Sequence, residues 1–408
     1  MGGVMQDCVV YRRDDEFAVR GSIDGAELAT SRSAAGAIQF AVDWLGTDGG
    51  EVRLARGAYP LERAVRLSDA TCLRGSGRGT KLRVRADNAD GVGVLLDHAK
   101  GASVADLAVL GQDGAAAGVV LDASGDCQVE RVFCAGFRDH GIWVRNNSFL
   151  CAVKGCSLAG NGKSNIYLDH LREGEYGDYV PNLVADSIVY GGGKGIECDD
   201  AIVVNIVGCA VYQTAGYAYH IHSFSNSVVV SGCRSFQISS DCVVVEGTHE
   251  LNLTGNIFCW HTGHGVVVRD SYWGAITGNN IIDTGSYNGG TDNHETLKAD
   301  TPNPPLMNGV ELRHARGYTL TGNTVFNWSV APKMRCGILE DAESYNNTIT
   351  GNNINYYTDA AVVAHGRDTV TANNVGYADL AYNDPQDLKP YYQSFQRELT
   401  ERFIREQM

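Results

Sequence analysis

The 408-residue chain has no apolar run of about 18 residues, so nothing in it reads as a membrane-spanning helix. Residues 1–17 are polar and charged and lack the apolar core of a secretory leader. A cytoplasmic protein is expected, or a secreted one whose signal peptide has been trimmed. Basic residues are in deficit: 33 Lys and Arg stand against 48 Asp and Glu, a net charge of −15. That balance argues against nucleic acid or an anionic membrane surface as a partner. Paired Cys-x-x-Cys spacing is missing although there are 12 cysteines, and close pairs such as Cys127/Cys134 and Cys151/Cys156 do not suit zinc. The glycines of 75–79 lack the order of a phosphate-binding loop, and no helix pattern follows them, so they read as a turn between strands. Proline is scarce, 8 residues against 49 glycines, which suits a β protein full of tight turns.

What is present is regular. Cys8-Val9-Val10-Tyr11 and Glu16-Phe17-Ala18-Val19-Arg20 alternate in polarity around a charged turn and predict a hairpin. Ser31 to Ser33 can cap a helix running to Leu45, with Gly46 as its stop. From Gly93 a repeat of about 23–25 residues begins, with turns starting at Gly93, Gly118, Gly141, Asn165, Gly195, Ala218, Cys242, Gly265, Gly309, Gly337 and Ala361. Each opens with a short strand such as Gly118-Val119-Val120-Leu121-Asp122. A second signature follows: Lys154-Gly155-Cys156, Val207-Gly208-Cys209, Ser231-Gly232-Cys233, then Thr254-Gly255-Asn256, Thr277-Gly278-Asn279, Thr321-Gly322-Asn323, Thr350-Gly351-Asn352 and Thr371-Ala372-Asn373. One column therefore carries Cys and then Asn. Stacked Asn side chains can bond from coil to coil, and Cys fills the same small buried slot without disulfides.

A short-strand period of this kind describes a solenoid of parallel sheets. With the helix, the Gly49-to-Leu61 stretch and the Leu73-to-Leu82 stretch ahead of it, the chain resembles the right-handed parallel β-helix superfamily, the pectate-lyase-like proteins, over roughly residues 30–378. The expected fold is all-β, a right-handed parallel β-helix of about 11 coils. It divides into an N-terminal hairpin and capping helix (1–45), the β-helix (46–378) and a tail (379–408) whose residues 391–408 read as an amphipathic helix, with Phe395, Leu399, Phe403 and Ile404 on one stripe. Inserts at 171–180, 287–307 and 330–335 are expected to wall a groove. A homo-oligomer, trimer or dimer, is expected through a flat sheet.

Residues three and five of each opening strand face outward. Position five reads mostly as a solvated charged edge. Position three turns from apolar to ionisable at Glu197 and His220, then again at Glu311. Glu197, Asp199, Asp200 and Glu246 are the candidate catalytic carboxylates, because glycoside hydrolysis needs an acid and a base or nucleophile and close like charges raise one pKa. His220, His222, Arg269, Arg313, Glu311 and Asp169 are candidate substrate contacts, and Tyr167 and Trp143 candidate stacking platforms for sugar rings. The resemblance implies action on an oligo- or polysaccharide. Polygalacturonase-like relatives carry a paired Asp and a Gly-His-Gly; Asp199-Asp200 and Gly263-His264-Gly265 look similar but lie almost three coils apart, so those roles are not carried to His264. The β-helix fructotransferases, relatives by architecture, also use an acidic pair. The leading expectation is a hydrolase or transglycosylase without cofactor or metal. The alternative is a polysaccharide lyase with Lys194, Arg269 or a histidine as base, and calcium on Asp199, Asp200 and Glu246. A non-catalytic binding solenoid is the third reading.

Overall fold

The computed structural model describes residues 7–112, 114–171, 181–285, 307–327 and 334–378. Most of the three expected groove inserts and the whole of 391–408 lie outside these residues. The hairpin forms as expected: Cys8–Arg13 pairs antiparallel with Glu16–Gly21. Cys8–Arg13 also pairs parallel with Gly50–Leu54, so the hairpin is woven into the first coil. The helix, α1, spans Ala34–Leu45. Ser33 Oγ accepts from the Gly36 backbone N–H at 2.8 Å, satisfying an orphan donor of the first turn. Gly46 stops the helix in the left-handed region at φ 65°. Ala34, Ala37, Ile38, Ala41, Val42 and Leu45 form its buried stripe, which packs on the first strands.

The rest is a parallel solenoid of about 12 turns, one more than the repeat predicts because Val65–Leu67 already pairs in register ahead of Val92–Asp97. Three sheets run along it. The one that carries the candidate residues, called the site sheet below, contains His140–Arg145, Ser164–Leu171, the first half of Lys194–Val207, Tyr219–His222, Val243–Glu246, Val266–Arg269 and Val310–Arg313. Their inward residues, among them Ile196, Cys198, Ile221, Val243, Val245, Val266 and Val268, are at most 1% exposed and form the core. Each such side chain contributes on the order of 2 kcal/mol of burial.

The Asn column is a hydrogen-bonded ladder. The Nδ2 groups of Asn256, Asn279, Asn323 and Asn352 each donate to the next Oδ1 at 2.9–3.0 Å. Each also donates to a backbone carbonyl, as Asn256 does to Val230 O at 2.9 Å. Cys233 joins the column upstream, its backbone N–H donating to Asn256 Oδ1 at 2.8 Å. All 12 cysteines are free thiols. The ladder ends on Asn374, where the repeat predicts Asn373. Thr350 is in register with Ala372, so Asn373 takes the place of Gly351 and adopts φ 55° beside the glycine's 65°. Asparagine tolerates that conformation better than most residues.

Coil-opening glycines fix what the site sheet shows outside. A Cβ on Gly195 would come within 2.3 Å of Ala218 O and 2.7 Å of Val211 Cγ1, so this position faces a packed interior. Lys194, one residue earlier, projects onto the outer face, where its ammonium reaches Glu197.

Candidate active site

Parallel register brings the predicted outward residues together. Tyr167, Glu197 and His220 are successive partners, as are Asp169, Asp199 and His222. Neighbouring strands lie about 4.8 Å apart, so Glu197 and Asp199 on the middle strand neighbour the residues on either side.

Glu197 is the hub and is only 6% exposed. Its Oε1 meets the Lys194 ammonium, His222 Nε2 at 3.0 Å and His220 Nδ1 at 3.2 Å. Its Oε2 accepts from the Ser164 hydroxyl. Burial pushes this carboxyl up, but the hydrogen bonds from His220, His222, Lys194 and Ser164 outweigh it and hold Glu197 well below the usual carboxylate range. The expectation that like charges would keep a protonated acid on the Glu197/Asp199 pair is therefore corrected for Glu197, because its partners are cationic or donating groups and it stays ionised.

His220 is half-ringed by charge. Its Nδ1 lies 3.0 Å from Lys194 Nζ and 3.2 Å from Glu197 Oε1, and burial depresses its pKa. Its Nε2 is buried without a partner among the described residues. His222 stacks on it at 4.0 Å between ring centroids. The Nδ1 of His222 lies 2.7 Å from Ser223 Oγ and 3.4 Å from Asp199 Oδ1. One imidazole thus stands between the two carboxylates. Tyr167 donates its hydroxyl to Asp199 Oδ2 at 2.7 Å, and burial together with that bond raises its pKa.

Trp143 and Tyr167 do not lie as free platforms. Tyr167 stacks on His140 at 4.4 Å, and Trp143 carries the Arg145 guanidinium 4.3 Å over its ring. Burial lowers the His140 pKa to about 4. Asp169 is hydrogen-bonded to His170, yet burial raises its pKa.

The other candidates fall outside this group. Asp200 sits at φ 55° where Lys194–Val207 turns from the site sheet into the next. Glu246 is bound to Arg269 at 2.8 Å, and Arg313 to Glu311 at 2.6 Å. Val244 and Val267, at position three between His220 and Glu311, are fully buried, so the ionisable face is interrupted there. Beyond them His264 Nδ1 lies 3.1 Å from Glu311 Oε2 and accepts the Asn308 backbone N–H at 2.9 Å. Burial raises Glu311, but Arg313, His264 and Asn308 together hold it low.

Asp199, Asp200 and Glu246 are not gathered as calcium ligands: Asp199 faces Tyr167 and His222, while Glu246 faces Arg269. Among the described residues the group that could hold a metal ion is Glu197, His220 and His222, whose ligand atoms lie within 4.8 Å of one another. This donor set suits a transition metal better than calcium. The Lys194 ammonium, in contact with Glu197 and His220, stands where such a cation would bind.

Sequence reasoning passed over Ser164 and His140 and treated Lys194 only as a base. A third outward column identifies them: the residue just before each coil opening, His140, Ser164, Lys194, Tyr217, Asp241, His264 and Asn308.

The fold is that of the right-handed parallel β-helix proteins. The A-module of Azotobacter vinelandii mannuronan C-5 epimerase AlgE6 matches with a TM-score of 0.68 at 15% identity, covering 84% of this chain and 95% of that one. The periplasmic alginate epimerase AlgG matches at 0.59 and 12% identity, covering 80% and 83%. An alginate lyase from Paenibacillus matches at 0.50 and 14% identity, covering 60% and 92%. No family model matches the chain, and no curated protein sequence matches it.

Proposed function

We propose that the chain is a carbohydrate-active enzyme that removes the proton α to the carboxylate of a uronate residue within a polysaccharide, the opening step shared by lyases and C-5 epimerases. The observation that carries this reading is the alignment of Glu197, His222, Asp199 and Tyr167: His222 Nε2 faces Glu197 at 3.0 Å, His222 Nδ1 lies 3.4 Å from Asp199 Oδ1, and Tyr167 donates to Asp199. Glu197 accepts from His222 Nε2 and so fixes the tautomer that leaves Nδ1 as a proton acceptor. When Nδ1 takes the C5 proton, the imidazolium forms beside Asp199. Tyr167, kept protonated by burial and by Asp199, then supplies a proton, to C5 from the other face in an epimerase or to the departing glycosidic oxygen in a lyase. Glu197 is ionised and fully engaged, so it serves as an orienting group and not as a glycosidase acid. The alginate epimerases and the alginate lyase that share the fold make a polyuronate the first substrate to try.

One observation favours a hydrolase instead: Asp169, raised by burial, is the register partner of Asp199, giving an acid and a base on adjacent strands. The experiment is incubation with polymannuronate in D2O, with and without EDTA. Deuterium at C5, or ultraviolet absorbance of an unsaturated uronate, is expected and should survive EDTA. New reducing ends without either would favour Asp169 and Asp199 as a hydrolytic pair.

A further inference from the structure

A second cluster lies at the corner where the site-sheet strands turn into the next sheet, three residues downstream of Arg269 and Arg313. His249, Tyr272, Arg316, Tyr345 and Arg367 are successive bridge partners on consecutive coils. His249 stacks on Tyr272 at 5.9 Å with the rings 2° from parallel. The Arg316 guanidinium lies 4.1 Å over Tyr272 and 5.8 Å over Tyr345, whose hydroxyl accepts from Arg316 Nη1 at 2.6 Å. Arg367 lies 5.4 Å over the Tyr345 ring.

Two features go beyond what a self-supporting ladder needs. Arg316 has no carboxylate partner among the described residues, in a chain of net charge −15. Its charge is held by two tyrosines and presented to solvent. Beside it Trp273 is 65% exposed. Its ring meets Tyr272 edge-on at 5.6 Å, so Trp273 and Arg316 both pack on one tyrosine. A Cβ on Gly317 would come within 2.8 Å of Trp273 Cδ1, so this glycine leaves the indole room to lie on the backbone. Trp273 also has φ 59°, an unusual conformation for so bulky a residue. Glu250 and Asn346, which share its corner column with Gly317, show that polar residues serve that place (φ 58° and 57°).

We propose that Trp273 and Arg316 form a non-catalytic binding site for an acidic polysaccharide, the indole stacking on a sugar ring and the guanidinium taking the carboxylate of the same or the adjacent residue. Aromatic faces bind apolar ring faces, and arginine matches a carboxylate in a bidentate fork. The site adjoins the site sheet, so a bound polymer is held along the coils while one of its residues reaches Tyr167 and His222. The choice of an acidic polymer rests on the proposed function; the site itself does not depend on catalysis there.

The test is affinity electrophoresis and sedimentation of the full chain with polymannuronate, polygalacturonate and neutral dextran. Trp273→Asn is the main variant, because Asn tolerates the left-handed backbone, and Arg316→Gln the second. Trp273→Asn should weaken binding to an acidic polymer by roughly tenfold, about 1.4 kcal/mol, with dextran unbound and turnover of a short oligouronate unchanged. Arg316→Gln should flatten the salt dependence of binding. Wild-type affinity in both variants, or no binding of any acidic polymer by the wild type, would overturn the proposal. So would an indole whose loss changes the sedimenting species and not polymer affinity, which would make it a contact between copies of the chain. Polymer binding that depends on Trp273 without C5 chemistry would leave the corner standing and remove only the proposed reaction.

Discussion

Four groups converge on one carboxylate at Glu197, and each has its own geometric source. Ser164 and His220 come from the flanking strands, Lys194 from the corner of the same strand, and His222 from across the register. Glu197→Gln keeps the shape but removes the charge that these donors face. It should lower stability by about 3 kcal/mol in urea unfolding, since a buried charge loses its partner, and also abolish turnover. His222→Asn should cut kcat by roughly a thousandfold, the range for loss of a general base, with an unchanged unfolding midpoint. Tyr167→Phe removes only the proton donor to Asp199, so a large fall in kcat with little change in polymer affinity is expected from steady-state kinetics. The outward alternation of Glu197, Asp199, His220 and His222 was legible from position in each repeat. Their bonding was not, because it depends on Lys194 and Ser164, which begin their strands and stand out only once the coil-opening column is aligned.

The Asn ladder is the clearest case of a structural element readable in advance. Thr-Gly-Asn recurs because a left-handed residue must be followed by a side chain able to both donate and accept along the axis. Asn279→Ala leaves the backbone N–H of Asn256 without its acceptor in a dry interior and removes one of the two bonds made at Asn256 Nδ2 and at Asn323 Oδ1. It should destabilise by about 2–4 kcal/mol, the cost of buried groups left unpaired, measured by thermal or urea unfolding. A near-neutral result would mean that water enters the column. The slip from Asn373 to Asn374 has a physical basis: Ala372 occupies the register place of a Thr, and Asn can serve as the turn residue as well as the ladder residue, so the motif alone leaves two alignments.

At the scale of the molecule, two histidines, His140 and His261, are buried as neutral rings. Burial lowers His140 to about 4 and His261 to about 3, and it lowers His220 as well. In the unfolded chain these groups bind protons from about pH 6.5 downward. The unfolded state therefore takes up more protons than the folded one, and their contribution to stability, present above about pH 6.5, is lost as the pH falls toward 4 and 3. Glu197, depressed in the folded state, adds to the loss at lower pH still. The melting temperature should fall steadily below about pH 6.5, and His261→Gln should flatten that slope. A melting temperature independent of pH between neutrality and about 4 would contradict the neutral-ring assignment. The solenoid itself was legible from its period, and the expectation of a polysaccharide enzyme came from resemblance. The choice of chemistry was not legible, since a face bearing both carboxylates and histidines fits hydrolysis and proton abstraction equally. The measurement that separates them most directly is the C5 deuterium content of polymannuronate after incubation in D2O with the wild type and with His222→Asn. Incorporation, or an unsaturated end, in the wild type and its loss in the variant is the predicted result. Reducing ends released with no deuterium and no unsaturation would contradict the account.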